Sequence, residues 1–291
     1  MCAPSTTTSS KPAAPAAESE NFSCVAIAVI ALLGALPPLT MEIYIPSMPS
    51  LQESLSTTPA MVLLTLSVYQ GTFSGLQLII GPLSDVYGRR AILLVTMSVY
   101  IVVSLGAALS PTILFLLPTR AAQALGSSSA AILSMAYLRD RLSVTTRERV
   151  TSNIAPLRAM APLLAPILGS FLEVAFGWRS CFYALTLFGA LALSGIWAQL
   201  PESLSPERRQ PKFRCSSLVR GNLYLLSQRS FMCYALPEAL GFGGLFFWIS
   251  SSSFILQEFY AIPVVFFGLI YSITFVGAIG VSSSSSSSSR R

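Results

Sequence analysis

Charge is scarce in this sequence. Asp, Glu, Lys and Arg make up 10% of 291 residues and hydrophobic residues 53%, whereas soluble globular domains carry about 25% charge. Histidine is absent, which removes the side chain that titrates nearest neutrality and the commonest metal ligand. Any proton handled here therefore rides on a carboxylate. No GxxxxGK[ST] loop occurs, so the chain has no phosphate cradle for ATP-driven work, and no Ser-His-Asp or paired-acid constellation points to an enzyme. Cys2, Cys24, Cys181, Cys215 and Cys233 show no CxxC or metal-ligand spacing and read as small hydrophobes. No cofactor and no metal is called for.

What remains is a series of apolar runs near 24–45, 60–81, 91–109, 112–136, 151–175, 179–200, 231–255 and 262–281. Each is close to the ~20 residues that carry a helix across a hydrocarbon core of about 30 Å. The runs are continuous rather than alternating, which excludes a barrel and leaves helices as the spanning form. The fold class is all-α integral membrane, with eight spans and the lipid bilayer as surroundings. Residues 1–23 are polar and Ser/Thr/Pro-rich and read as a disordered cytosolic tail.

The net charge of +6 sits in alternate connections. Thirteen basic residues, from Lys11 and the Arg89–Arg90 pair to the cluster between Arg208 and Arg229, precede span one or follow spans two, four and six; the other connections hold Arg179 alone. Short basic loops are retained in the cytoplasm, so the amino terminus faces that side. The same pattern explains the basicity without nucleic acid.

The loop after span two reads GPLSDVYGRR, residues 81–90. Gly81, Pro82 and Gly88 are expected to release the backbone from helix, and Arg89 and Arg90 to hold the loop at the anionic face. Asp85 has no part in that account, so it is expected to have a specific partner, either the neighbouring arginines or another helix's amino end.

Four of the charges within spans stand out. Arg120 either snorkels to the outer interface or faces a cavity with Gln123, one turn on. Glu42 is either a hydrated carboxylate at the outer end of span one or buried beside Arg120, where desolvation and pairing act on its charge in opposite senses. Arg158, after Pro156, either snorkels or serves the interior. Glu238, after Pro237, is either a second cavity carboxylate or a residue of a helix kink. Pro162, Pro166 and Gly169 mark a bent helix with a small-residue face.

The residues Gly81, Leu83, Ser84, Asp85, Gly88, Arg89 and Arg90 resemble the signature loop of the major facilitator superfamily. Glu42-x-Tyr44-x-Pro46-x-x-Pro49, Arg120-x-x-Gln123-Ala-Leu-Gly126, and Ala165–Gly169 with Phe176–Arg179 are similar to motifs of its Bcr/CflA drug-resistance branch. The resemblance runs from about Glu42 to Gly280. It implies a proton-coupled exporter of drugs or other small molecules, working by alternating access between two six-helix halves. It implies a cavity shared by helices one, four, seven and ten, for which Tyr44, Gln123, Phe246, Phe247 and Trp248 are candidate lining residues, their aromatic rings suiting flat, cationic or amphipathic compounds; the residues themselves suggest Glu42 as the proton site, tuned by Arg120, with Glu238 as a second candidate carboxylate.

The resemblance also divides the chain. Residues 24–200 form a complete six-helix first half, 201–230 a central cytoplasmic loop with a short interfacial helix around Leu218–Leu226, and 231–281 the first two helices of a truncated second half. Residues 282–291, a polyserine tail, resemble no part of the family. The chain is then either a truncated form of an exporter, or a non-transporting protein that associates with a full-length membrane partner. The plasma membrane is the expected location, with an organelle as the alternative.

Overall fold

The structure, a computed structural model, describes residues 23–205, 207, 209 and 215–273. Its elements are α1 (Cys24–Glu42), α2 (Met48–Ser54), α3 (Pro59–Tyr87), α4 (Arg89–Ala108), α5 (Ile113–Arg141), α6 (Val144–Phe176), α7 (Arg179–Gln199), α8 (Cys215–Ser227), α9 (Arg229–Phe254) and α10 (Val264–Ile273), with no strand among the described residues. Residues 1–22 of the expected 1–23 tail, the polyserine segment and the end of the eighth span lie outside the described residues.

Side-chain caps open the long helices: Ser23, Thr58, Thr112 and Ser143 each accept from a backbone N–H of the first turn, satisfying donors that no preceding carbonyl can reach. The core lies between α1, α3, α4, α5 and α7 and is filled by Ile30, Leu33, Met97, Leu116, Leu133, Phe182 and Leu185, all fully or almost fully buried. Exposed Val102, Leu114, Phe171 and Trp197 face outward, the reverse of a soluble protein and the arrangement lipid requires.

Six helical stretches are long and apolar enough to cross a membrane: Cys24–Ser54, Pro59–Tyr87, Arg89–Ala108, Val144–Phe176, Arg179–Gln199 and Arg229–Phe259. The other two of the eight anticipated spans differ. α5 has the length, at 29 residues, but its inward face carries buried Arg120, Gln123, Ser127, Ser128, Ser129 and Ser134. It packs against α1, α3 and α4, so its polar side is covered by protein. α10 is described only through Ile273.

Three local expectations are corrected. α3 runs unbroken through Gly81 and Pro82, and the chain reverses at Gly88 alone, at φ +95. Pro82 has no N–H to give the Leu78 carbonyl one turn back; separately, the Gly81 carbonyl accepts from the Ser84 hydroxyl at 2.6 Å and from Arg89 Nη1 at 3.3 Å. Span one does not end at residue 45: a 3-10 turn (Ile45–Ser47) carries the helical path into α2 and on to Ser54. Glu42 thus lies within the bundle rather than at its outer end. The helix of the central connection, α8, spans Cys215–Ser227, and α9 begins at Arg229. α6 passes through Pro156, Pro162 and Pro166 as one helix.

Candidate functional site

Arg120 sits at the centre of the bundle with no exposed surface, which removes the snorkelling alternative. A buried guanidinium needs its donors met or its charge shared. Nη1 donates to the Gln123 side-chain oxygen, and both Nη atoms lie 3.3 Å from the Thr40 carbonyl. The faces of Tyr44 and Tyr69 stand 4.4 and 4.6 Å from Cζ, with Phe182 at 5.8 Å, so ring quadrupoles take the place of a carboxylate. The network runs on: Gln123 Nε2 donates to Ser104 Oγ at 2.7 Å, the Thr40 and Tyr100 hydroxyls are 2.7 Å apart, and those of Tyr44 and Thr65 2.9 Å apart. Sequence reasoning found Arg120, Gln123 and Tyr44. It missed Thr40, Tyr69, Tyr100 and Ser104, whose only signal was a hydroxyl inside an apolar run.

Glu42 is 4% exposed, and its Oε2 has no hydrogen-bond partner. It lines a pocket of about 240 Å³ with Pro37, Pro38, Tyr69, Phe73 and Pro162. No ion pair joins Glu42 to Arg120; instead Tyr69 stands between their surroundings, presenting its ring to Arg120 while lining the Glu42 pocket.

The seventh-span wall of this pocket is Phe242, Leu245 and Ile249, spaced three and four residues apart on one helix face. Of the aromatics singled out from the sequence, Phe246 is half-buried and stacks on Phe242 at 6.3 Å, Trp248 is half-buried with Nε1 unpartnered, and Phe247 is 70% exposed one position off the face. Glu238 is exposed on α9. Pro166 and Gly169 are buried where α6 meets the end of α1; a Cβ on Gly169 would overlap the Ile43 carbonyl oxygen.

At the reversal, Asp85 has its partner in Arg89, at 2.5 Å. Asp140, which sequence reasoning missed, holds Arg89 Nε at 3.1 Å, and Ser84 accepts from Nη1. Arg90 donates to the Trp197 carbonyl at 2.8 Å. Glu202 caps α4: Oε1 accepts from the Arg89 N–H at 2.9 Å and from those of Ser203 and Leu204. A Cβ at Gly88 would come within 2.5 Å of Glu202, so glycine serves both the positive φ and the close carboxylate. Among the described residues, no cluster of Cys, Asp or Glu could hold a metal ion.

The sequence matches the Major Facilitator Superfamily over residues 30–291. The chain belongs to that family. This Major Facilitator Superfamily chain is 33% identical over 247 residues to the uncharacterized MFS-type transporter YdgK of Bacillus subtilis, covering 84% of the chain and 61% of the relative. It is 30% identical to a bicyclomycin resistance protein homolog of Haemophilus influenzae, covering 87% and 63%. The chain therefore spans somewhat over three-fifths of the length of these relatives. Its fold is similar to that of a bacterial homolog of the human lysosomal transporter Spinster, inward-facing and unoccupied, with TM-score 0.71 at 16% identity, covering 90% of the chain and 61% of that structure.

Proposed function

We propose that the chain is part of a proton-coupled secondary transporter that exports drugs or related small molecules by alternating access, with the amino terminus cytoplasmic and the plasma membrane as its site. The observation that carries this reading is Glu42, a buried carboxylate with one oxygen unpartnered at the edge of an apolar, aromatic pocket. The cost of burying such a group differs greatly between its charged and neutral forms, so exchange of its proton is tied to whether the pocket is wet or closed. With no histidine in the chain, a carboxylate is the group that can do this. The drug-resistance relative from Haemophilus influenzae supports export of a foreign compound as the task, and Tyr69 and Phe73 offer flat apolar faces to one.

In proteoliposomes under an imposed pH gradient, the unsubstituted chain should move a fluorescent amphipathic dye, and Glu42→Gln should abolish gradient-driven movement without lowering insertion. Equal transport by both removes Glu42 from the mechanism; no transport by the unsubstituted chain overturns the proposal for this chain.

A further inference from the structure

Arg158 is an intramembrane charge that neither the packing nor the proton reading uses. It is half-buried in α6, and among the described residues no hydrogen bond or ion pair engages its guanidinium. Arg89 and Arg120, the other interior arginines described above, are both engaged. Its side chain crosses α1 at Gly34, where a Cβ would lie 2.9 Å from both Cδ and Nε and 3.3 Å from Cγ. Glycine is thus the residue that admits the arginine. Gly34 lies ten residues beyond Cys24, about 15 Å along the helix and half of a ~30 Å hydrocarbon core. With its stem pinned there, the head group lies away from the helix ends where a long basic side chain snorkels.

The guanidinium opens instead into a cavity of about 520 Å³, a volume within the range of small-molecule sites, about 300–1,000 Å³. Gln77 of α3 contributes a second polar head, ten residues before Tyr87 and so at similar depth. Pro37, Pro38 and Phe73 form the apolar side, and no carboxylate lines the cavity. Those same three residues also line the neighbouring Glu42 pocket, so an apolar body can continue from one space toward the other.

We propose that this cavity binds an amphipathic organic anion, its carboxylate, sulfonate or phosphate on the Arg158 guanidinium and the Gln77 amide, its apolar body against Phe73 and the two prolines. A guanidinium grips such groups through charge-assisted, often bidentate hydrogen bonds, and the anion in turn relieves the cost of an uncompensated charge at mid-membrane depth. The inference rests on the carrier reading only in calling that anion a substrate; binding stands apart from transport.

The test is equilibrium binding of carboxyfluorescein, an anion, and rhodamine 6G, a cation, to the full chain in phosphatidylcholine nanodiscs. Carboxyfluorescein should bind. Arg158→Gln should weaken it tenfold or more, the loss of charge-assisted bonds to one group; Arg158→Lys, which keeps the charge but not the fork, should fall between the unsubstituted chain and Arg158→Gln, and Gly34→Val, which displaces the side chain, should weaken it as Arg158→Gln does. Rhodamine 6G should not weaken in Arg158→Gln, which also reports that this variant is folded. Failure of carboxyfluorescein to bind the unsubstituted chain, or equal binding by Arg158→Gln, overturns the proposal. Displacement of the dye by phosphatidylglycerol in the disc assigns the seat to an anionic lipid and overturns the substrate assignment. Failure of Glu42-dependent transport with anion binding intact sinks the proton reading alone.

Discussion

Gly169→Ala inserts a methyl where the Ile43 carbonyl already sits. The ideal Cβ would overlap that oxygen and lie 2.8 Å from its carbon and 3.4 Å from Ile43 Cα, while carbon contacts are optimal near 3.5–4.0 Å, so α6 must withdraw from α1 by on the order of 1 Å. The obstacle is backbone, which cannot rotate aside as a side chain can. Overpacking of this kind costs about 1–3 kcal/mol, here toward the upper end. Against it stands the helix-propensity gain of Gly→Ala, about 0.5–1 kcal/mol, leaving a net loss of about 2 kcal/mol. Gly75 in α3 provides the control, since a Cβ there meets nothing within 4 Å and only the propensity gain applies. The two alanines should therefore differ by on the order of 3 kcal/mol in opposite senses. Unfolding of each variant in mixed micelles, followed by tryptophan fluorescence, measures the difference. Because Ile43 follows Glu42 directly, the Gly169 variant should also lose proton-driven dye movement. If Gly169→Ala unfolds no sooner than Gly75→Ala, the close approach of α6 to α1 is not real, and the position assigned to Glu42 goes with it.

Two further outcomes concern the reversal between α3 and α4. Arg89→Met should destabilise by about 3–5 kcal/mol, the cost of breaking a buried ion pair, because it strands Asp85 and Asp140 together. Asp140→Asn should cost less, about 1.5–3 kcal/mol, since Arg89 keeps Asp85 at 2.5 Å; chemical denaturation ranks the two, and equal losses would deny Asp140 its part. Glu202→Ala should cost about 0.5–2 kcal/mol as a lost helix cap and speed hydrogen exchange at the Arg89 amide, whose protection should otherwise persist; unchanged exchange would remove Glu202 as the cap of α4.

The long apolar helices were legible because lipid demands continuous runs, and their bounds fall within a few residues of those runs except where chemistry overrides hydropathy. α5 is one exception. Its polar residues point inward, so composition understates its place in the bundle. α3 and the first span are the others: Gly81 and Pro82 read as releasing the backbone, yet α3 runs on to Tyr87, and the run ending near residue 45 continues through a 3-10 turn into α2. Side-chain pairing was less legible. Asp85–Arg89 is four residues apart and could be anticipated; Arg89–Asp140 and Arg89–Glu202 join distant stretches and could not. On α9 it is Phe242, Leu245 and Ile249 that line the Glu42 pocket, while Phe247 is exposed, a distinction of helix face that an unbroken apolar run does not reveal.

The interior charges separate into two kinds. Arg89 and Arg120 are enclosed by partners: carboxylates and a hydroxyl for one; a carbonyl, an amide and two tyrosine faces for the other, whose Nε has no hydrogen bond. Such groups fix helix positions, and their removal should be felt as lost stability. Glu42 and Arg158 are different, since each turns a charged head toward open space and the two spaces meet at Pro37, Pro38 and Phe73. Leaving a charge unanswered within a membrane costs a few kcal/mol, and nothing in the packing recovers it. That cost falls when a proton neutralises Glu42 or an anion reaches Arg158, so the free energy withheld from folding is available to binding at these two positions. Substitution there should accordingly change affinity or coupling far more than unfolding, the inverse of the pattern expected at Arg89.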